Sequence, residues 1–250
     1  MQSYPAHLPL ALLLALLVLP ACRTTTEAEA IVARAIEAHG GDVLRHSRVT
    51  FDFRGRSFSA THDGGLFRYE RTFRDSTGLV HDVLANDTLY REVDGARVDL
   101  TDAQRRSVES GVNSVIYFAL LPFKLDDPAV QTRYLDSTRV RGEPYHEIEI
   151  TFAREGGGRG YRDRYVYWFH RDRHTMDYLA YAFEEDGGGT RFRETLGTRT
   201  LGGVRFADYR NYTAGTLGTA IERYDELAGT DALEHVSDVV LENVRVEPLR

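Results

Sequence analysis

Histidines are the side chains of this sequence best suited to metal or acid–base chemistry, and two of their spacings are suggestive. His146-Glu147 begins the pattern of a zinc-protease helix, but the second histidine of that pattern is missing and the segment alternates like a strand. His170 and His174 lie four residues apart, as two metal ligands on a helix would, but the Arg-Asp-Arg between them favours a turn. We therefore expect solvated turn histidines, no metal site and no cofactor.

Other catalytic groups also lack the spacing that their chemistry needs. The glycine-rich run at 156–160 lacks the Lys-Ser/Thr ending of a phosphate loop and falls between predicted strands, which indicates a hairpin. No serine lies in a Gly-x-Ser-x-Gly elbow, and the lone cysteine, Cys22, precedes the predicted domain. Acids such as Asp163, Glu194 and Asp208 could do acid–base work only if the fold paired them. We predict that the protein is not an enzyme, and an enzyme of unknown type stays open as an alternative.

The first residues of the chain predict export and lipidation. Residues 1–21 contain no Asp, Glu, Lys or Arg, and Leu8 to Leu19 is almost entirely Leu, Ala and Val, as in a signal peptide. The segment ends in Leu19-Pro20-Ala21-Cys22, which resembles a bacterial lipobox. The alternative is an ordinary secretory signal cleaved near Ala21. The predicted organisation is a signal peptide at 1–21, a lipidated Cys22 with a short tether at 22–26, and a single domain at 27–250.

The predicted location is the cell envelope, with acyl chains on Cys22 inserted into a membrane. Several acyl chains anchor a protein durably, whereas one chain binds marginally. Arg23 follows the cysteine instead of Asp, which by the sorting rule of some bacteria favours the outer membrane, facing the periplasm or the cell surface. The net charge is -7 and the arginines are scattered among acids, so we expect no nucleic-acid partner.

Two helices and many strands are predicted from capping residues and from the hydrophobic period. Thr26 with Glu29 has capping-box spacing, and the apolar stripe that follows stops at Gly40-Gly41. Thr101 with Gln104 opens a second helix in the same way. Elsewhere the period is two, with turn residues between short runs, which indicates antiparallel meanders. The predicted fold is mainly β (α+β): a single curved antiparallel sheet, a half-barrel, wrapping one or two helices.

The second predicted helix ends in a run that is apolar all round, from Val115 to Leu121, and Pro122 stops it. The run is either a central core helix or a lid over an apolar cavity. Aromatic residues are also dense on the strands, and Tyr165 to Phe169 puts large rings on both faces of one strand. These rings are either core or the lining of a ligand cavity. The predicted ligand-binding residues are Tyr117, Phe118, Leu121, Phe123, Trp168 and Tyr181.

Several segments of the chain resemble a family of uncharacterised bacterial envelope lipoproteins. They are Val112-Asn113-Ser114 through Leu121-Pro122-Phe123-Lys124-Leu125, Gly142-Glu143-Pro144-Tyr145, Asp163-Arg164-Tyr165 with Trp168, Gly203-Val204-Arg205-Phe206-Ala207-Asp208-Tyr209, and the helix end Ala38-His39-Gly40-Gly41. This resemblance implies no activity and no catalytic residue. More distantly, the order of helix, meander, apolar helix and longer meander resembles the half-barrel of the Lol-type periplasmic lipoprotein carriers, which implies an enclosed apolar cavity.

The predicted function is that of a membrane-anchored envelope lipoprotein that binds or shuttles an apolar ligand, a lipid or an acyl chain, in the half-barrel cavity. The alternative is a structural or accessory envelope protein whose cavity is filled by its own helix. The expected partners are the membrane, through the acyl chains on Cys22, and an apolar small molecule or lipid.

Overall fold

Antiparallel strands form most of the computed structural model, which describes residues 25–155, 161–183, 188–214 and 219–249. The predicted signal peptide and the predicted lipidation site, Cys22, lie outside the described residues, as does the glycine-rich run at 156–160. No described helix is both long enough and apolar enough to span a bilayer. The helices are α1 (Glu27–Ala38), α2 (Gly41–Leu44), α3 (Asp102–Ala119) and α4 (Tyr224–Leu227), with short 3-10 turns at Phe123–Asp126 and Ile221–Arg223. The strands are β1 (His46–Phe53), β2 (Arg56–Asp63), β3 (Leu66–Asp75), β4 (Gly78–Ala85), β5 (Thr88–Val93), β6 (Ala96–Val98), β7 (Val130–Val140), β8 (Glu143–Phe152), β9 (Arg164–His170), β10 (Met176–Phe183), β11 (Gly189–Leu201), β12 (Val204–Thr213), β13 (Glu234–Val239) and β14 (Glu242–Pro248).

The strands pair into two seven-stranded antiparallel sheets. The first has the order β14-β1-β2-β3-β4-β5-β6 and the second the order β13-β12-β11-β10-β9-β8-β7. The predicted mainly β, antiparallel architecture is confirmed, but hydrogen bonding divides the strands between two sheets where the pattern predicted one. The division arises because the chain leaves the short edge strand β6 and enters α3 instead of turning into β7. Strands β13 and β14 then carry the chain from the edge of the second sheet back to the edge of the first.

Helix α1 begins and ends where the sequence predicts. The Thr26 hydroxyl accepts a hydrogen bond from the Glu29 N–H at 3.2 Å, and the Glu29 carboxylate accepts one from the Thr26 N–H at 2.7 Å. After the helix, Gly40 has a φ of +83°, and a Cβ there would lie 2.2 Å from the Gly203 carbonyl oxygen. A side chain would therefore be strained and would also collide with the turn between β11 and β12. The glycine lets the end of α1 lie directly against the second sheet.

Helix α3 lies between the two sheets. Its predicted capping box is present, because the Thr101 hydroxyl accepts from the Gln104 N–H and the Gln104 side chain accepts from the Thr101 N–H. Val108, Val112 and Ile116 are 0 % exposed and share one face at intervals of four residues. This face makes α3 a true core helix, as one of the two sequence interpretations proposed.

A buried ion cluster on the first sheet packs against α3. The Asp82 carboxylate on β4 is 0 % exposed and accepts hydrogen bonds from Arg71 at 3.1 and 2.6 Å and from Arg91 at 2.6 and 3.1 Å. Gly111 of α3 leaves room for this cluster, since a Cβ there would lie 2.4 Å from the Arg71 Nη1. The single Asp82 carboxylate thus pairs with two arginines, of which Arg71 is buried.

Both faces of the second sheet are covered, as the aromatic pattern predicts. On β9, Tyr165, Tyr167 and Phe169 point into the core between the sheets. The alternate residues Val166 and Trp168 point into a second core on the outer face, beneath the chain around α4. Alternation along one strand therefore serves two separate hydrophobic clusters.

Candidate functional site

A cavity of about 270 Å³ lies between the last turns of α3 and strands β10 to β13. On the helix side of this space, the α3 cavity, Ser114, Val115, Phe118 and Ala119 form one face at helical spacing. The turn between β1 and β2 closes another side with Phe53 and Arg54. Ligand pockets commonly have volumes of about 300 to 1,000 Å³. The α3 cavity therefore suits one small molecule or a single short acyl chain.

The sheet side of the α3 cavity is built by cross-strand neighbours. Arg193 on β11 and Asn211 on β12 are direct partners in the strand register, so both side chains lie on the same face of the sheet. Tyr209 lies two residues before Asn211 on that face and is the direct partner of Val239 on β13. Burial raises the pKa of Tyr209, so its hydroxyl stays protonated at neutral pH. The sheet thus presents uncharged aromatic surface beside one cation.

Aromatic rings and a guanidinium group make a stacked wall in this cavity. The Phe118 ring lies 5.4 Å from the Tyr181 ring, measured between centroids. The Arg193 guanidinium carbon lies 4.1 Å from the Phe118 centroid and 5.3 Å from that of Tyr181. Cation–π contacts of this kind orient an arginine but leave its N–H groups free to donate.

Two polar atoms of the α3 cavity lack hydrogen-bond partners among the described residues. The described lining contains two arginines and no acidic side chain. The Arg193 Nη2 donates to the Tyr181 hydroxyl at 3.2 Å, whereas the buried Nε has no partner in the described chain. The buried Asn211 Oδ1 likewise has no partner there. Within the described chain neither Arg193 nor Arg54 forms an ion pair. Buried polar atoms are nearly always paired in proteins, so these two atoms are unusual among the described residues.

A second cavity, of about 340 Å³, lies at the other end of β1 and β2, beside the 3-10 turn that follows α3. In this Lys124 cavity, the Lys124 Nζ donates to the Tyr69 hydroxyl at 2.9 Å, and the same hydroxyl lies 2.9 Å from the His62 Nε2. Lysine has no acceptor, so the Tyr69 oxygen accepts from Lys124. The other ring nitrogen of His62, Nδ1, is buried and has no partner among the described residues.

Burial disfavours the charged forms of two bases in the Lys124 cavity. It lowers the pKa of His62 to about 4, and it also lowers the pKa of Lys124. The remaining charges at this cavity are balanced, since Arg45 pairs with Asp126 at 2.5 Å and Asp127 lies nearby with Lys124. The two cavities therefore differ in kind: one carries unpaired arginines, and the other carries opposite charges in equal number.

Comparison with known proteins identifies the family. A model of a family of unknown function, DUF6503, matches residues 9–240, which include α1, α3 and all of the strands except β14. The chain belongs to this DUF6503 family. The expected membership of an uncharacterised family is thereby confirmed. No curated protein sequence matches the chain significantly.

Three solved structures are similar to this DUF6503 chain at low scores. A LolA superfamily protein from Nitrosomonas europaea has a TM-score of 0.49 at 11 % identity, covering 89 % of this chain and 93 % of its own. A DUF1329 family protein from Desulfovibrio piger has a TM-score of 0.47 at 12 % identity, covering 87 % and 92 %. The lipoprotein LppX of Mycobacterium tuberculosis has a TM-score of 0.26 at 11 % identity, covering 64 % and 90 %. Likeness at this level carries no inference about a ligand.

The structure brings together only part of the predicted ligand-binding set. Phe118 and Tyr181 line the α3 cavity. Tyr117 lies beside it, with its hydroxyl 3.1 Å from that of Tyr167 on β9. Leu121 packs in the core between the sheets, and Phe123 lines the Lys124 cavity.

Trp168 is separated from the other predicted residues by the second sheet itself. It is 0 % exposed and packs edge-on against Phe192 in the outer core, at a centroid distance of 5.9 Å. The residues that sequence reasoning missed in this DUF6503 chain are Arg193, Tyr209 and Asn211. Arg193 and Asn211 are polar residues at strand positions that face the cavity. The sequence does not show that they are neighbours, because this depends on the register of β11 and β12.

The histidines at the end of β9 correct one expectation. His170 is the last residue of β9 and only 2 % exposed, so it is a buried residue and not a solvated one. Its Nδ1 accepts hydrogen bonds from the N–H groups of Asp172 and Arg173, and its Nε2 bonds to Glu143 at 3.0 Å. The His170 ring thus stabilises the turn that follows β9 by accepting hydrogen bonds from its backbone. Across the described residues, no group of three or more His, Cys, Asp or Glu is arranged to hold a metal ion.

Proposed function

We propose that this protein is an envelope lipoprotein that binds a small apolar ligand in the α3 cavity. The observation that carries the proposal is the cavity itself, an aromatic space of about 270 Å³ in a domain whose neighbouring core is closely packed. Apolar walls with a few convergent polar groups are the usual composition of small-molecule sites.

The packing of α3 favours ligand binding over a purely structural role. The face with Val108, Val112 and Ile116 is completely buried, so the helix already has a core contact. The adjacent face, with Val115 and Phe118, still borders open space. A helix that merely filled the half-barrel would leave no such space, and this difference supports the binder over the accessory protein.

The position of α1 supports an anchor on Cys22. Only residues 23–26 separate the cysteine from the first residue of α1, Glu27. Acyl chains on Cys22 would therefore hold the domain close to the bilayer, where apolar ligands are found. Replacing Cys22 by Ser should release the protein from membranes or leave it unprocessed. Membrane fractionation equal to that of the wild type would remove the anchor from the proposal.

Titration with a neutral apolar fluorescent probe tests the binding role. The chain from residue 23 onward, produced without acyl chains, should bind the probe saturably with one site. Ala207→Phe places a ring in the α3 cavity and should abolish this signal. Ala96→Phe, at an exposed position of β6, is the matched control and should bind like the wild type. Equal binding by both variants, or no binding by the wild type, would refute the proposal.

A further inference from the structure

The charge distribution of the α3 cavity narrows the class of its ligand. The protein as a whole is acidic, with a net charge of -7, yet the described lining of this cavity holds Arg54 and Arg193 and no Asp or Glu. Within the described chain neither arginine has an ion-pair partner. Arginine cannot shed its proton at any physiological pH, so both positive charges remain available to a bound anion.

Arg193 is held in a way that leaves donors free for such a group. Its guanidinium is fixed over Phe118 at 4.1 Å, and one of its N–H groups is used by the Tyr181 hydroxyl at 3.2 Å. The Nη1 makes no hydrogen bond within the described chain and is the donor left for a ligand, whereas the Nε is fully buried near the Oδ1 of its cross-strand neighbour Asn211. The planar fork of arginine matches a carboxylate, which accepts two parallel hydrogen bonds.

The other residues that line the cavity indicate the chemistry of the rest of the ligand. Phe53, Val115, Phe118 and Leu241 are apolar walls beside Arg193. Arg54 is exposed on the turn between β1 and β2 and stacks on Phe53 at 5.0 Å, so it places a second positive charge at the cavity mouth. Such a charge attracts anions and raises their local concentration.

We propose that the ligand of the α3 cavity is an amphipathic monoanion, a medium-chain carboxylic acid whose carboxylate pairs with Arg193 and whose tail lies against Phe118 and Leu241. This inference rests on the proposed function and adds the headgroup chemistry to it. It also explains why an arginine is kept in an aromatic cavity that would otherwise be better filled by an apolar side chain.

The Lys124 cavity does not share this property. Its described charges are balanced by Asp126 and Asp127, and the pKa of Lys124 is lowered by burial. An anion there would meet two carboxylates as well as two cations. The unpaired positive charge of the described cavities is therefore concentrated in the α3 cavity.

Photoaffinity labelling of the mature lipoprotein in detergent tests the headgroup. One probe is a diazirine-bearing dodecanoic acid, and the other is the alcohol with the same carbon skeleton, both at the same free concentration. Labelled peptides are mapped and counted for α3 and β10 to β12. In the wild type, the acid should label these peptides about tenfold more than the alcohol, which corresponds to roughly 1.4 kcal/mol of binding free energy.

Variants at position 193 separate the charge from the cavity. Arg193→Gln should reduce acid labelling to the level of alcohol labelling measured in the same variant. Arg193→Lys keeps the positive charge and should retain a preference for the acid, which guards against a folding defect in the first variant. Arg191→Gln is the matched control on the same strand, since Arg191 stacks on Phe183 outside the cavity lining, and it should behave like the wild type.

The outcomes distinguish the two levels of the proposal. Equal labelling of the wild type by acid and alcohol, or an acid preference that survives in Arg193→Gln, overturns the carboxylate inference while the apolar binding site stands. Labelling of the cavity peptides by neither probe overturns the proposed function and this inference with it.

Discussion

Two partly or fully buried arginines, one on each sheet, have different surroundings. On the first sheet, the Arg71 side chain is 7 % exposed and shares the carboxylate of Asp82 with Arg91. On the second sheet, Arg193 lies in an aromatic cavity and meets no carboxylate of the described chain. A paired cation needs nothing further and holds elements together. An unpaired one keeps part of its desolvation cost until a counter-charge arrives, which is the condition of a binding site.

The largest expected effect is on the paired side. Asp82→Asn keeps the shape of the side chain but leaves Arg71 and Arg91 without their shared negative charge. Breaking a buried ion pair in this way should lower the free energy of unfolding by about 3 to 5 kcal/mol. Urea melts would measure it. The control, Asp126→Asn, removes the partner of Arg45 at a half-exposed site and should cost no more than about 1 kcal/mol. Similar losses in the two variants would contradict the distinction between cluster and surface pair.

The next effect separates the two faces of α3 itself. Ile116 is 0 % exposed in the core, so Ile116→Ala should lower the free energy of unfolding by about 2 to 5 kcal/mol. Phe118 borders the α3 cavity, so Phe118→Ala should cost less than about 2 kcal/mol because the space beside it is already open. Probe binding should show the reverse order. If Phe118→Ala lowered the free energy of unfolding as much as Ile116→Ala and left probe binding unchanged, Phe118 would be a core residue and not a ligand-binding one.

His62 is a buried base that, unlike an arginine, can lose its proton in the folded chain. His62 has a pKa of about 4 in the folded chain, below its ordinary value of 6.5. Between pH 6.5 and 4 the unfolded chain therefore binds this proton and the folded chain does not, so stability should fall as pH falls. The slope from this residue is about 1.4 kcal/mol per pH unit.

Urea melts across this pH range check the effect of His62. His39, also buried with a pKa lowered to about 4, adds a similar slope and serves as the internal reference. His62→Gln should reduce the slope and keep an acceptor for Tyr69. An unchanged slope in that variant would mean that His62 is charged in the fold, and the contrast with arginine would fail.

A smaller effect concerns the space that the paired cluster occupies. Gly111→Ala should favour the helix by its propensity, but the new Cβ would lie 2.4 Å from the Arg71 Nη1. Because Asp82 holds Arg71 in place, we expect a net loss of about 1 to 3 kcal/mol. Ser110→Ala, at the exposed neighbouring position, should be neutral or slightly stabilising. If both variants gained stability in thermal melts, the cluster would be more mobile than the packing indicates.

Local patterns predicted much of this fold, because capping and alternation depend on neighbours in the chain. Thr26 and Thr101 cap helices as their spacing requires, and Tyr165 to Phe169 alternate between two cores. Alternation alone does not show which face of a strand borders a cavity. The sequence therefore predicts one ligand site with both Trp168 and Phe118, although the second sheet separates the two side chains.

The site depended on contacts that are distant in sequence. Arg193 and Asn211 become neighbours only through the register of β11 and β12, and their significance comes from partners that are missing. The division into two sheets likewise depends on where β14 returns, beside β1, at the far end of the chain. The sequence predicts His170 in solvent because turns are usually exposed. In the structure its ring is buried and accepts hydrogen bonds from the backbone of the turn that follows.

That the α3 cavity holds a molecule is tested most directly by native mass spectrometry of the protein purified from the cells that produce it. The wild type should show a population heavier by one small amphipathic molecule, which is released when the complex is activated. Ala207→Phe, which fills the cavity, should show only the mass of the protein itself. An identical spectrum for the two proteins, with no bound molecule in either or the same bound molecule in both, would contradict the account.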